Sequence, residues 1–397
     1  MNSVIRRYYG FQFFFSLLLW VPIFYEYQKQ LGLSDVQIFG IQSIYYFAFC
    51  VLEIPTGILA DRLSYRFCLI GGALILVFAN LVPVFFFSYF AFIAHFIFVA
   101  LARSLVSGAS SAYLYEHLKE EGRTEIYKRH EGRAYSYALI GKIVVWSFVG
   151  AAMKWRLSLP YLLTAAASLT AFCFALSLPP LKSAKQSGSA QNRPKLREVT
   201  TLLISNPAVL LVMLQGVAIF VLARICQVNL FQPILSLKGF GISSYGWMMS
   251  LISIFEAAGA RYPQTFRRLW SDRNAVFILT GILAFSLIAI SFAAQPGTAI
   301  ALCVFSGAVG LAFPVQRQLL NDVIPQSGYR ATLLSMESII DRAVCAWVAA
   351  QMAAFVSTGR TLVFLNISAG VTLVSVGMVW GLFKVFAFKR APVPESL

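Results

Sequence analysis

Charge is scarce in this sequence. Only 12% of its 397 residues are Asp, Glu, Lys or Arg, against 59% hydrophobic residues. A soluble domain usually carries about 25% charged residues, so a water-soluble globular protein is nearly excluded. The same apolar content excludes a disordered chain. Histidine is rarer still: His95, His117 and His130 form no metal or catalytic cluster. The six cysteines, Cys50, Cys68, Cys173, Cys226, Cys303 and Cys345, all lie in apolar runs and make no C-x-x-C pair. They read as small core hydrophobes, and no disulfide framework, metal site or cofactor is expected. No P-loop pattern appears, which argues against an ATP-driven machine.

Long apolar runs are what the sequence has in quantity. A spanning helix needs about 20 apolar residues. Helices are expected at about 8–28, 36–60, 67–88, 91–117, 132–153 and 158–178, then at about 206–235, 243–263, 274–294, 298–320, 331–356 and 361–386. The first run follows Arg6 and Arg7 as in a signal peptide, but Tyr8 to Tyr27 is too long and no small-x-small cleavage site follows it, so it is read as a span. Between the sixth and seventh helices the chain reads PPLKSAKQSGSAQNRPKLREVT, a polar linker. The expected fold is an all-α membrane protein of twelve transmembrane helices. Its expected parts are a six-helix bundle over 1–178, a cytoplasmic linker over 179–201 and a second six-helix bundle over 202–397.

The net charge of +16 is an orientation signal. The termini, the linker and the loops on their side hold 21 Lys and Arg, and the opposite loops hold five: Lys29, Lys154, Arg156, Lys238 and Arg360. Basic loops stay inside, so both termini are expected to be cytoplasmic in a multi-pass protein of a bacterial-type inner (plasma) membrane. The spans themselves hold six basic and six acidic residues and are formally neutral. The thin spread of cations argues for contact with the lipid bilayer and against a nucleic-acid partner.

The two halves repeat at an offset of roughly 200. Gly32-Leu33-Ser34 recurs as Gly241-Ile242-Ser243, and Glu53 as Glu256. Ser107-Gly108-Ala109 recurs as Ser306-Gly307-Ala308, and Arg133-Ala134 as Arg330-Ala331. A duplicated bundle suits alternating access around a site between the halves.

Gly57 to Arg66 reads GILADRLSYR in the turn between the second and third helices. It resembles the signature of the major facilitator superfamily in that turn, roughly G-x-L-A-D-R-x-G-R-K. Gly57, Leu59, Ala60, Asp61 and Arg62 match, Arg66 replaces the final Lys, and Ser64 and Tyr65 depart from the usual Gly and Arg. Gly57 allows close helix approach. The resemblance implies that Asp61 caps the N-terminus of a neighbouring helix, the eleventh. Arg62 and Arg66 are then candidates to pair with an acid such as Glu116, in a gate that forms in one state and breaks in the other. The plainer alternative is a topology signal alone.

Charges inside the spans are functional candidates by default, because each is costly in lipid unless paired or hydrated. Arg103, Lys142 and Arg342 lie near mid-span, and Lys142 and Arg342 are on repeat-related helices. Facing one cavity, they would suit a carboxylate or phosphate. The alternative pairs Arg342 with Asp341 or Glu337, and Lys142 with Glu53. Glu53, Glu256 and Asp341 are candidates to bind and release a proton, with Pro55 and Gly57 bending the helix beside Glu53. Glu26 and Arg224 are a candidate outer-gate pair, with ordinary interfacial residues as the alternative. Gln215, Gln227, Asn229, Gln232, Tyr25, Tyr45 and Tyr46 are candidate solute contacts. Phe13-Phe14-Phe15 and Phe85-Phe86-Phe87 read as lipid-facing.

The resemblance implies a secondary active transporter. The residues point to proton-coupled movement of a small organic solute with an anionic group, by a chain expected to be a monomer without catalytic residues. The competing readings are a proton-coupled exporter of drugs or metabolites, and, from another class, a non-transporting receptor or a membrane-embedded enzyme. The fifth helix lacks the Gly-Pro-rich pattern common in drug exporters of the superfamily, and no cluster suits an enzyme.

Overall fold

The computed structural model describes residues 3–181, 206–262, 270–324 and 330–388, and every regular element among them is helical. In chain order these are α1 (Ser3–Ser16), α2 (Phe24–Gln30), α3 (Asp35–Arg62), α4 (Tyr65–Phe85), α5 (Tyr89–Glu120), α6 (Tyr127–Trp146), α7 (Val149–Trp155) and α8 (Leu159–Ser177). Then follow α9 (Pro207–Arg224), α10 (Phe231–Leu237), α11 (Ile242–Arg261), α12 (Asp272–Phe292), α13 (Gln295–Val323), α14 (Arg330–Ser357) and α15 (Thr361–Phe388). The first span is α1 with α2, the fifth α6 with α7, and the seventh α9 with α10, which makes the expected twelve. Ten spans among the described residues are long and apolar enough to cross a membrane, and α6 with α7 adds an eleventh as one bent span. The remaining span is α11, where Ser243, Ser244, Ser250, Ser253 and Glu256 dilute the apolar run. The expected linker falls almost wholly outside the described residues.

Serines set several helix starts, because a hydroxyl can accept from an N–H that has no partner within the helix. Ser34 forms a capping box with Gln37 at the head of α3. Ser64 accepts from the Phe67 N–H at 3.2 Å and starts α4. The residue that departs from the family turn is therefore a helix cap. Ser88 and Ser271 do the same for α5 and α12.

The first and seventh spans break where Pro22 and Pro233 stand. Freed backbone groups inside a membrane must be satisfied by neighbouring side chains. Around Pro22, Thr164 accepts from the Leu19 N–H at 3.0 Å and the Trp146 indole donates to the Leu18 carbonyl at 3.0 Å. The buried amide of Gln232, from α10, donates to the Val21 carbonyl at 3.1 Å and accepts from the Glu26 N–H at 3.0 Å. The seventh span passes through a π-turn, Ile225–Asn229, before α10.

The described residues fall into two compact units. Unit 1 holds the chain up to 181 with Val228–Leu251 and Arg342–Gly359; unit 2 holds the residues before Val228 in α9 and its turn, Ile252–Asp341, and the chain from Arg360 on. The division therefore runs through the π-turn, α11 and α14. In unit 1, α4 packs on α5 and α8, and α1 on α6 and α8, around Tyr8, Phe11, Leu69, Ala73, Tyr113 and Ala171. In unit 2, α12 packs on α13 and α15, and α9 on α13 and α15, with Val209, Val212, Met213, Leu320, Ile324 and Leu333 in one cluster. Three of these pairings recur at repeat-related positions, α4–α5 with α12–α13, α4–α8 with α12–α15, and α1–α8 with α9–α15.

Glycine sets the closest approach in unit 2. A β-carbon at Gly310 would collide with the Glu256 carbonyl, and one at Gly259 with the Gly307 carbonyl, so α11 and α13 touch backbone to backbone. By contrast, Gly281 on α12 faces open space. Gly310→Val should therefore cost about 1–3 kcal/mol or more and lower the thermal unfolding midpoint in detergent by several degrees. Gly281→Ala should leave that midpoint unchanged or raise it, since Ala is the better helix former.

Candidate functional site

Two opposite charges sit side by side on α14, and the helix turns them apart. Successive residues point about 100° from one another at 3.6 residues per turn. Asp341, buried at 2% exposure, faces α9 in unit 2 and takes the Arg224 guanidinium on both oxygens, at 2.6 Å from Nη2 and 3.4 Å from Nε. Arg342 faces α3 in unit 1. Its Nε lies 3.7 Å from Glu53 Oε2, and its guanidinium carbon lies 3.5 Å from the Phe49 ring centroid. The Arg224 pair is bidentate and short. The Arg342 pair is an ion contact beyond ordinary hydrogen-bond length, supported by cation–π attraction.

The other polar candidates fall into each unit separately. In unit 2, Gln227 donates to Glu256 Oε2 at 3.1 Å and to the Ser306 hydroxyl at 3.0 Å, from the π-turn to α11 and α13. In unit 1, Arg103 on α5 donates to the Tyr45 hydroxyl at 3.3 Å. The Tyr46 hydroxyl donates to Asn229 Oδ1 at 3.3 Å. Lys142 is half-buried on α6, one residue past Gly141, whose missing β-carbon makes room for the Phe13 ring.

Several expected pairings are corrected. Arg342, expected beside Asp341 or Glu337, has an ion contact with Glu53, the acid expected for Lys142. Arg224, expected to pair with Glu26, pairs with Asp341, and the Glu26 carboxylate accepts from Gln30 at 3.0 Å. Gln215 is buried in the packing of α9 on α12, where it donates to Thr280 at 2.7 Å. The Tyr25 hydroxyl is committed to Asp35 at 2.5 Å, which also holds Lys29. Arg66 does not serve Glu116. It donates to the Leu178 and Leu176 carbonyls at 2.6 and 2.8 Å, at the C-terminus of α8, where Arg7 also donates to the Ser177 carbonyl. Those carbonyls have no partner within their helix, and the helix dipole favours a cation there. Glu116 pairs instead with Lys119 at 3.5 Å, one turn away. Gly57 has open space around it. The side chains of Asp61 and Arg62 lie outside the described residues.

Two clusters were not singled out from the sequence. Glu131 on α6 accepts from the Tyr8 hydroxyl at 2.9 Å and the Ser111 hydroxyl at 2.5 Å. Glu337 on α14 is 1% exposed and receives Arg317 from α13 at 3.2 Å. The spacing of Glu337 and Asp341, four residues apart on one helix face, was the available signal for the second. Among the described residues, no group of three or more His, Cys, Asp and Glu side chains is placed to hold a metal ion.

A family model described as Major Facilitator Superfamily matches residues 8–336. No curated protein matches the sequence. Solved structures do resemble the fold. The nucleoside transporter NupG superposes with a TM-score of 0.78 at 17% identity, covering 96% of this chain and 100% of its own. The peptide transporter POT in complex with sulfate gives 0.75 at 15% identity, covering 96% and 94%. A D-xylose-proton symporter gives 0.71 at 12% identity, covering 95% and 96%.

The Arg224–Asp341 pair invites a thermodynamic test. Arg224→Gln leaves Asp341 buried without its cation, a change that costs about 3–5 kcal/mol. Arg224→Gln with Asp341→Asn should recover most of the loss. Thermal unfolding of the single and double variants in detergent measures the difference.

Proposed function

Because this chain belongs to the major facilitator superfamily and is a transporter rather than an enzyme, we propose that it is a proton-coupled secondary transporter for a small organic solute bearing an anionic group. One observation carries the reading: Glu53 and Arg342 meet inside the spans through a long ion contact, with Arg342 stacked on Phe49. A proton on Glu53 removes its claim on Arg342, and a solute carboxylate or phosphate then takes its place, since guanidinium recognises both groups well. Loss of the proton returns Arg342 to Glu53 and releases the anion. Proton and solute therefore bind together and leave together.

Lys142 and Arg103 supply further positive charge for the solute. Arg224 has a different part, because Asp341 holds it on both oxygens. Glu256 is the repeat counterpart of Glu53, and its Gln227 contact makes it a second group sensitive to the π-turn. The six-helix halves over 1–178 and 202–397 rock against each other, with the turn at Gly57, Asp61 and Arg62 as the inner gate. Both termini lie in the cytoplasm of a bacterial-type cell, and the monomer suffices. The similarity to a symporter named for its proton supports the coupling.

The test uses the full chain in liposomes with an imposed pH gradient. Organic anions, nucleosides, sugars, peptides and cationic drugs are offered in parallel. Proton-driven accumulation of an anion, abolished by a protonophore, is expected. Lys142→Ala should raise KM for that anion about tenfold or more, equivalent to about 1.4 kcal/mol of binding, and Arg342→Gln should end accumulation. Flux confined to cationic drugs, or an unchanged KM in Lys142→Ala, would overturn the reading.

A further inference from the structure

One corner of unit 1 gathers cations with no acids to answer them. The sequence holds no Asp or Glu from Gly132 to Leu178, and none from Val228 to Phe255. Into the first stretch falls Lys154-Trp155-Arg156, where α7 ends. The fifth span ends here, so the triplet lies at the membrane surface opposite the N-terminus. All three side chains are exposed, Trp155 at 86%. Lys154 Nζ lies 3.4 Å from the hydroxyl of Ser243, on the first turn of α11. That is a long contact to a neutral group. Among the described residues no acid reaches Lys154 or Arg156. The loops on this surface contain one acid, Asp35, and it holds Lys29 at 2.9 Å.

The helices that frame the corner are in backbone contact. A β-carbon at Gly150 would collide with the Ile242 carbonyl, and one at Gly246 with the Trp146 carbonyl. The Ser250 hydroxyl donates to the Ile143 carbonyl at 2.6 Å along the same seam. One turn beyond Ser243, Trp247 is also exposed, so both helices carry an exposed tryptophan near the seam. Tryptophan favours the headgroup level of a bilayer, and long basic side chains carry their charge to the same level.

We propose that this corner binds the phosphate group of an anionic phospholipid. Lys154 and Arg156 hold the headgroup through charge-assisted hydrogen bonds, and Trp155 lies in the boundary between headgroups and acyl chains. Two features favour a lipid over a free anion. The two cations flank an exposed aromatic side chain, and the bent pair α6–α7 that they end is apolar enough to cross the membrane. Because Lys154 also touches Ser243, a bound headgroup sits where α7 meets α11. The site does not depend on which solute is carried.

Binding is read from tryptophan fluorescence of the full chain in neutral detergent. The titrants are phosphatidylglycerol and phosphatidylcholine with brominated acyl chains, which quench a nearby indole. Phosphatidylglycerol should bind about 25-fold tighter than phosphatidylcholine, about fivefold for each of the two cations. The saturable quenching should vanish in Trp155→Phe. Lys154→Gln and Arg156→Gln should each lose about fivefold, and the double variant should bind both lipids alike. Lys154→Arg should keep the preference, and so should Lys119→Gln, on the opposite surface. The exposed positions of these side chains predict unchanged thermal unfolding midpoints without added lipid, which separates lost binding from lost folding. Equal binding of both lipids by the unaltered protein, saturable quenching that survives in Trp155→Phe, or a preference kept by the double variant would overturn the proposal. So would an equal loss in Lys119→Gln, or displacement of the lipid by inorganic phosphate, which would make the corner a site for free anions.

Discussion

A polar group inside a bilayer has only the protein to turn to. In water an unpaired carbonyl or carboxylate is solvated at once; in hydrocarbon each such group costs several kcal/mol. The structure reads as a series of answers to this constraint. Backbone groups freed at Pro22 are taken by Thr164, Trp146 and Gln232. Carbonyls at the end of α8 are taken by Arg7 and Arg66. Arg224, Arg317 and Arg342 find acids of their own, with different tightness.

Those differences distinguish two pairs on α14. Arg224 and Asp341 form a short bidentate pair within unit 2 that ties α9 to α14. Arg342 and Glu53 form a longer contact within unit 1 that ties α14 to α3. The two pairs start from adjacent residues of one continuous helix, and the division between the compact units falls between them. α14 thus carries one firm attachment and one loose one.

Much of the architecture was legible in the sequence, because span length and loop charge are local quantities. The twelve helical segments, including the long apolar α5 and the serine-rich α11, follow from composition over short windows. Pairing was not legible in the same way. Asp341 and Arg342 are neighbours in the chain and looked like candidates for each other, but helical rotation sends them to different partners. Arg66 was matched to an acid because acids are what sequence shows; the carbonyl end of α8 is a partner with no sequence signature. Gln215 looked like a solute contact because a polar residue in a span attracts notice, yet it serves the packing of α9 on α12. Glu337 passed as half of an ordinary pair. Its near-complete burial over Gly216, with Gln316 beside it, comes from the packing of three helices.

The Arg224–Asp341 bridge also has a history within each molecule's synthesis. Its two residues are 117 positions apart. A ribosome adding about 5–20 residues per second leaves the arginine for roughly 6–23 s before the aspartate exists. During that interval the seventh span is made before the residue that holds Arg224 on both oxygens in the finished fold. The eleventh span is therefore not simply added to a finished bundle; its arrival completes a contact whose other half was made 117 residues earlier.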